Sequence, residues 1–114
     1  MALLTAQQIS QAGLEPVYVE PVVAGDTLAN TGKQFFHVRN EGAVAITATV
    51  IPVVITVIDP LLGTLVKENA VLNLAASEEG FLGPFEVDAF NDPNGNITIT
   101  CSAVASVKLA ALYL

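Results

Sequence analysis

Residues 80–114 read GFLGPFEVDAFNDPNGNITITCSAVASVKLAALYL, and the fold class turns on them. In Ile97-Thr98-Ile99-Thr100-Cys101-Ser102, apolar and hydroxyl side chains alternate with period two, the pattern of a strand half in a core and half in water. The polar turn Asn91-Asp92-Pro93-Asn94-Gly95-Asn96 comes just before it. Its Asn-Gly pair tolerates positive φ, as a tight hairpin requires. From Val104 onward the polar face fades: Val104, Val107, Leu109, Ala111, Leu112 and Leu114 leave Lys108 as the lone charge. A final strand apolar on both faces is either central in a sheet or covered by another subunit.

Upstream, the same alternation recurs. Gln34 to Asn40 reads as a strand with Phe36 and Val38 inward and His37 and Arg39 outward. Asn40-Glu41-Gly42 makes a turn, and Val44 to Val50 completes a hairpin. Val53 to Ile58, Leu61 to Val66 and Ala70 to Leu74 are further strand candidates. Pro16 and Pro21 bracket Val17-Tyr18-Val19-Glu20, which suits an edge strand or extended arm because proline cannot donate to a central ladder. Thr5 as N-cap and Gly13 as stop fit one or two helical turns near the start. Ala24 to Gly32 is loop-rich. With roughly seven to nine short strands and no sustained helical period, the chain is expected to be all-β. The expected form is a single-domain antiparallel β-sandwich, jelly-roll-like, over 16–114, preceded by a short N-terminal arm over 1–15.

Composition narrows the function. The 114 residues are 53% hydrophobic, above the usual range of about 45–50%, and only 13% charged against about 25% in typical domains. A lone domain this apolar would expose oily patches, and such patches mark contact surfaces. Net charge is −7, with Lys33, Arg39, Lys67 and Lys108 too few and scattered to neutralise phosphates. Neither nucleic acid nor an anionic membrane surface is therefore an expected partner. The N-terminus lacks the basic and apolar regions of a signal peptide, and the run Val50 to Ile58 is broken by Pro52 and Thr56. Synthesis and folding in a host cytoplasm are expected.

No catalytic kit stands out, and no cofactor or metal is expected. His37 is the sole histidine and reads as a solvated or interface side chain, since general-base work needs a positioned partner and a pocket. Reviving an enzyme would take a concave pocket joining His37 to two acids. A lone Cys101 in the inward series of Ile97 and Ile99 reads as a small buried hydrophobe. Asp92-Pro93-Asn94-Gly95-Asn96 shares letters with a calcium loop, but hydrophobic strand residues follow at once where a bidentate acid further on would be needed, and it reads as a hairpin turn. Glu78, Glu79, Glu86 and Asp88 could be paired carboxylates. Without Trp and with only Tyr18 and Tyr113, however, a sugar cleft has little to build on.

Several stretches together resemble a known family. They are Gly25-Asp26-Thr27-Leu28-Ala29-Asn30-Thr31-Gly32, Phe35 to Asn40, Leu82-Gly83-Pro84-Phe85, Phe90-Asn91-Asp92 with its Asn-Gly turn, and the Val-Ala-Ala-Leu-rich end. The chain in this respect is similar to the small capsid decoration, or cement, proteins of tailed bacteriophages. That resemblance implies a compact β-sandwich or jelly roll on the capsid exterior, as a homodimer or homotrimer. It also implies that the major capsid protein is the partner, that neighbouring subunits are locked together, and that there are no catalytic residues. The alternative is another virion β-sandwich binding module, of head-fibre or carbohydrate-binding type.

Two stretches are the candidate contacts. The arm and its continuation offer Leu3, Leu4, Ile9, Leu14, Val17 and Tyr18, which could lie on a neighbour or add a strand to it. The C-terminal strand offers Leu109, Leu112 and Leu114 for symmetric packing. Ordinary packing within the domain is the competing reading for both.

Overall fold

The computed structural model describes residues 2–53, 56–61, 63–66 and 68–114, with 56–59 and 64–66 described as backbone only. Val54 and Ile55 of one expected strand, Leu62, Lys67 and Met1 lie outside the described residues. The strands in chain order are β1 (Ala2–Leu4), β2 (Gln7–Gln8), β3 (Asp26–Ala29), β4 (Gln34–Asn40), β5 (Ile46–Val50) and β6 (Thr56–Asp59). They continue with β7 (Gly63–Val66), β8 (Ala70–Leu74), β9 (Glu79–Leu82), β10 (Asn96–Cys101) and β11 (Val107–Tyr113), and one short helix, α1 (Val87–Phe90), precedes β10.

The strands form an all-β sandwich. One sheet has the order β1-β3-β10-β5-β8, the other β2-β11-β4-β9, and β6 and β7 pair as a separate two-stranded ribbon. Pairing is antiparallel except at two edges, where β1 runs parallel to β3 and β2 parallel to β11. The period-two pattern does what the sequence predicts. In β10, Ile97 and Ile99 are buried, and in β5 Ile46, Ala48 and Val50 are buried while Thr47 and Thr49 are half-exposed. Phe36 and Val38 point into the same core from β4, where Phe36 packs against Phe85 and Phe85 against Phe90. Each large apolar side chain fully buried this way stabilises the fold by about 1.5–3 kcal/mol.

The expected hairpins are not hairpins. β4 and β5 lie in different sheets, so the turn after Asn40 carries the chain across the sandwich, and the Asn94-Gly95 turn follows α1 and leads into β10, whose paired strands are β3 and β5. Asparagine side chains brace two such crossings, β4–β5 and β3–β4. Asn40 Nδ2 donates to Val44 O (2.8 Å) and Ala75 O (3.1 Å), tying the β4–β5 loop to the β8–β9 loop. Near the helix, Asn30 Nδ2 donates to Phe85 O and Asn91 Oδ1, while Asn91 Nδ2 donates back to Asn30 O. A turn side chain that points inward and satisfies carbonyls from a second loop fixes a corner, since buried polar groups must be bonded.

The N-terminal region also departs from expectation. No helix forms at 5–13; β2 occupies part of it, and a turn closes by Gly13 N donating to Ser10 O. Residues 2–8 add one strand to each sheet of the chain's own sandwich, and Leu4 and Ala6 pack against the core. The expected loop at 24–32 contains β3, whose inward positions are Asp26 and Leu28.

Candidate functional site

β11 sends Val107, Leu109 and Ala111 into the core, which leaves Lys108, Ala110 and Leu112 on the outer face of its sheet. Two pieces of the N-terminal region pair with the edge of β11 that β4 leaves free. β2 pairs with the end of β11, Gln7 opposite Leu112 and Gln8 opposite Tyr113. A strap, residues 14–20, then runs beside β11 on the same edge, with Val19 and Leu109 exchanging two backbone hydrogen bonds of 2.8 Å in an antiparallel bridge. Gln7 links strap to arm: its Nε2 donates to Val17 O and its Oε1 accepts from Val17 N, each at 2.9 Å. Between them runs an apolar groove of about 390 Å³, lined by Leu3, Leu4, Thr5, Gln7, Val17, Val19 and residues 109–111.

The groove gathers residues from both candidate stretches, and their exposures differ. Leu3 and Val17 are each 69% exposed and Leu114 is 77% exposed, while Leu14 stands at the edge of exposure. Leu4, Ile9 and Tyr18 are half-buried, and Ile9 N donates to Tyr113 O. Leu109 is a core residue, and Leu112, though on the outer face, is buried by the chain itself. Of the candidate side chains, Leu3 and Val17 line the groove and remain exposed, as does neighbouring Val19, while Leu14 and Leu114 are exposed outside its lining. Gln7, which ties the two walls together, carried no signal in the sequence.

Beside the groove, His37 departs from its expected solvated state. It points outward from β4 as the alternation requires, but Tyr18 from the strap and Phe81 from β9 cover it to 9% exposure. Tyr18 Oη and His37 Nδ1 are 2.6 Å apart, and the Phe81 ring stacks on the imidazole at 4.5 Å. Nε2 is buried, lacks a hydrogen-bond partner among the described residues, and sits 3.8 Å from Glu79 Oε1. Arg39 completes the cluster, with Nε 3.2 Å from Glu79 Oε2, Nη2 3.5 Å from Glu41, and its guanidinium 5.4 Å from the Tyr18 ring centre. Burial pushes the His37 pKa down; Glu79 opposes that shift and Arg39 reinforces it. A polar hollow of about 260 Å³ lies nearby, lined by Arg39, Asn40, Glu41, Ser77, Glu78 and Glu79. The imidazole is not part of its lining, so acids and base do not share a pocket there.

The other candidate groups are held in the fold. Asp92 Oδ1 accepts from the backbone N–H groups of Asn94 (2.8 Å) and Asn96 (3.0 Å), so the carboxylate braces its own turn. Among the described residues no group of three or more His, Cys, Asp or Glu is placed to hold a metal ion. No helix is long and apolar enough to cross a membrane, again among the described residues. Cys101 packs half-buried against the core, and burial, with the charge of Asp26 adding to it, pushes its thiol up to about 11. Thiolate is the reactive form, so alkylation at pH 8 is expected to run roughly 100-fold slower in the folded protein than in denaturant. Equal rates by mass spectrometry would show that the thiol is not shielded.

Comparison of the chain with protein-family models, curated proteins and solved structures returned no match.

Proposed function

We propose that this chain is a non-enzymatic structural protein that binds the outer surface of a phage capsid and cements neighbouring major capsid subunits. The observation that carries the reading is the oily rim of the groove. Leu3 and Val17, both 69% exposed, flank a trough walled by the arm and strap and floored by β11. Leu114, just past the end of β11, is a further exposed apolar side chain. Patches of this kind on a small domain are contact surfaces, and a clip touching several subunits multiplies modest contacts into firm attachment. The acidic remainder, with net charge −7, keeps the outward side soluble.

The test is a binding assay on authentic shells stripped of this protein, with sedimentation of the isolated chain to read self-association. Wild type should rebind with a stoichiometry tied to the shell's symmetry. The double variant Leu3→Asp/Val17→Asp should stay folded, because both side chains are exposed, yet bind at least about 10-fold more weakly, as removal of central apolar contacts does. Absence of wild-type binding would end the cement reading. Unchanged binding by the double variant would move the contact face elsewhere on the molecule.

A further inference from the structure

We propose that Tyr18 and His37 form a latch, which holds the 14–20 strap against the edge of β11 while the imidazole is neutral and lets it detach when the imidazole is protonated. Among the described residues, the hydrogen bonds that hold the strap are the Val19–Leu109 backbone pair, the Gln7–Val17 pair and the 2.6 Å bond from Tyr18 to His37, and the Arg39 guanidinium rests on the Tyr18 ring. Proline at 16 and 21 bounds the segment, which therefore moves as a short extended unit. Two of its residues, Val17 and Val19, form one wall of the groove, so lifting the strap changes the groove's shape.

The chemistry of the bond gives the direction. In neutral imidazole one ring nitrogen accepts while the other donates. With Nδ1 accepting from the Tyr18 hydroxyl, Nε2–H faces Glu79 Oε1 at 3.8 Å, too far for a hydrogen bond. Protonation turns Nδ1 into a donor, so the Tyr18 O–H must rotate away and its oxygen accept instead. It also places a full charge under the Phe81 ring, away from water.

The surrounding charges do not rescue that state. Glu79 on β9 attracts an imidazolium but is already held by Arg39, whose own charge on β4 repels it. Lys108 on β11 stands opposite Arg39 in register on the same face, and Glu41 is engaged with Arg39. On the strap itself, Glu15 and Glu20 are exposed to solvent. Latched His37 thus binds a proton less readily than a solvated histidine, burial being the main cause. By linkage, the latch's contribution is complete above the ordinary histidine value near 6.5 and is lost progressively as pH falls toward the lower latched value.

How the latch would affect binding rests on the groove being the contact face. The latch itself does not, so the test uses the isolated chain without capsids. Amide hydrogen exchange by NMR, corrected for intrinsic rates, reads the opening of the Val19–Leu109 pair directly. Between about pH 7.5 and pH 5, Val19 protection should fall roughly 10-fold or more while Ile99 protection holds, the mark of a local opening. His37→Phe should abolish that pH dependence, and Glu79→Gln should move its midpoint to lower pH. Constant protection in wild type, or the same fall in His37→Phe, overturns the latch. If His37→Phe does not fold, an unmoved midpoint in Glu79→Gln overturns it instead.

Discussion

Gly83→Ala is expected to destabilise the protein by about 2–5 kcal/mol, enough to remove a large share of a typical stability of about 5–15 kcal/mol. Two costs combine. The residue has φ +122°, a conformation that side-chain-bearing residues rarely adopt, and a Cβ there would lie 2.9 Å from the Phe85 ring and 3.0 and 3.1 Å from Phe35 Cβ and Cα. Neither neighbour yields easily. Phe85 is 3% exposed and wedged between Phe36 and Phe90, and Phe35 Cα belongs to β4, which pairs on both sides. Gly95→Ala is the matched control, since its φ is +80° but nothing lies within 4 Å of the added carbon. Its cost should be the backbone penalty alone, about 1–2 kcal/mol. Urea unfolding of the two variants isolates the crowding term, and equal midpoints would show that the Gly83 corner is looser than its distances imply.

The core strands were legible because their chemistry is local. Ile97 and Ile99 against Thr98 and Thr100, or Ile46, Ala48 and Val50 against Thr47 and Thr49, give the period and the buried face without knowledge of any partner. Which sheet each strand joins was not legible. The turn after Asn40 has the same letters whether it closes a hairpin or carries the chain across the sandwich. The difference lies in where the Asn40 side chain points, and its carbonyl partner Ala75 is 35 positions away. β3 escaped notice because one of its two inward residues is Asp26, which breaks the apolar alternation that marks a strand. β2 is two residues long, and no local pattern selects it; the exposed edge of β11 does.

The site divides in the same way. That Leu3 and Val17 are apolar and lie near proline and the chain start is written in the sequence. That they line one groove depends on Gln7 and on the strap pairing with the edge of β11. For His37, the alternation gave the face correctly, but its cover comes from Tyr18, 19 positions upstream, and from Phe81 on a strand paired by register alone. An outward-pointing side chain need not be wet when aromatic side chains from neighbouring segments close over it.

Deleting residues 2–9 should therefore do more than trim a loose end. The deletion strips β1 from β3 and β2 from β11, and removes Leu4 and Ala6 from their packing against the core. The hydrogen bonds lost, worth about 0.5–1.5 kcal/mol each, are largely offset by the chain entropy regained on freeing those residues. Lost packing is not offset, and by analogy with truncating a core leucine it should cost on the order of 2–3 kcal/mol. Two bare edges then remain, β3 and β11, each with unpaired backbone groups beside apolar side chains, and such edges pair with other chains. The expected outcome is a lower urea midpoint together with association that grows with protein concentration. Leu4→Ala, which keeps both edges covered, should lower the midpoint without causing association. Leu3→Ser, at a side chain 69% exposed, should do neither. A deletion variant as stable and as monodisperse as the intact chain would mean that the arm is a detachable appendage, and the groove between it and β11 would lose its standing as a built feature of the fold.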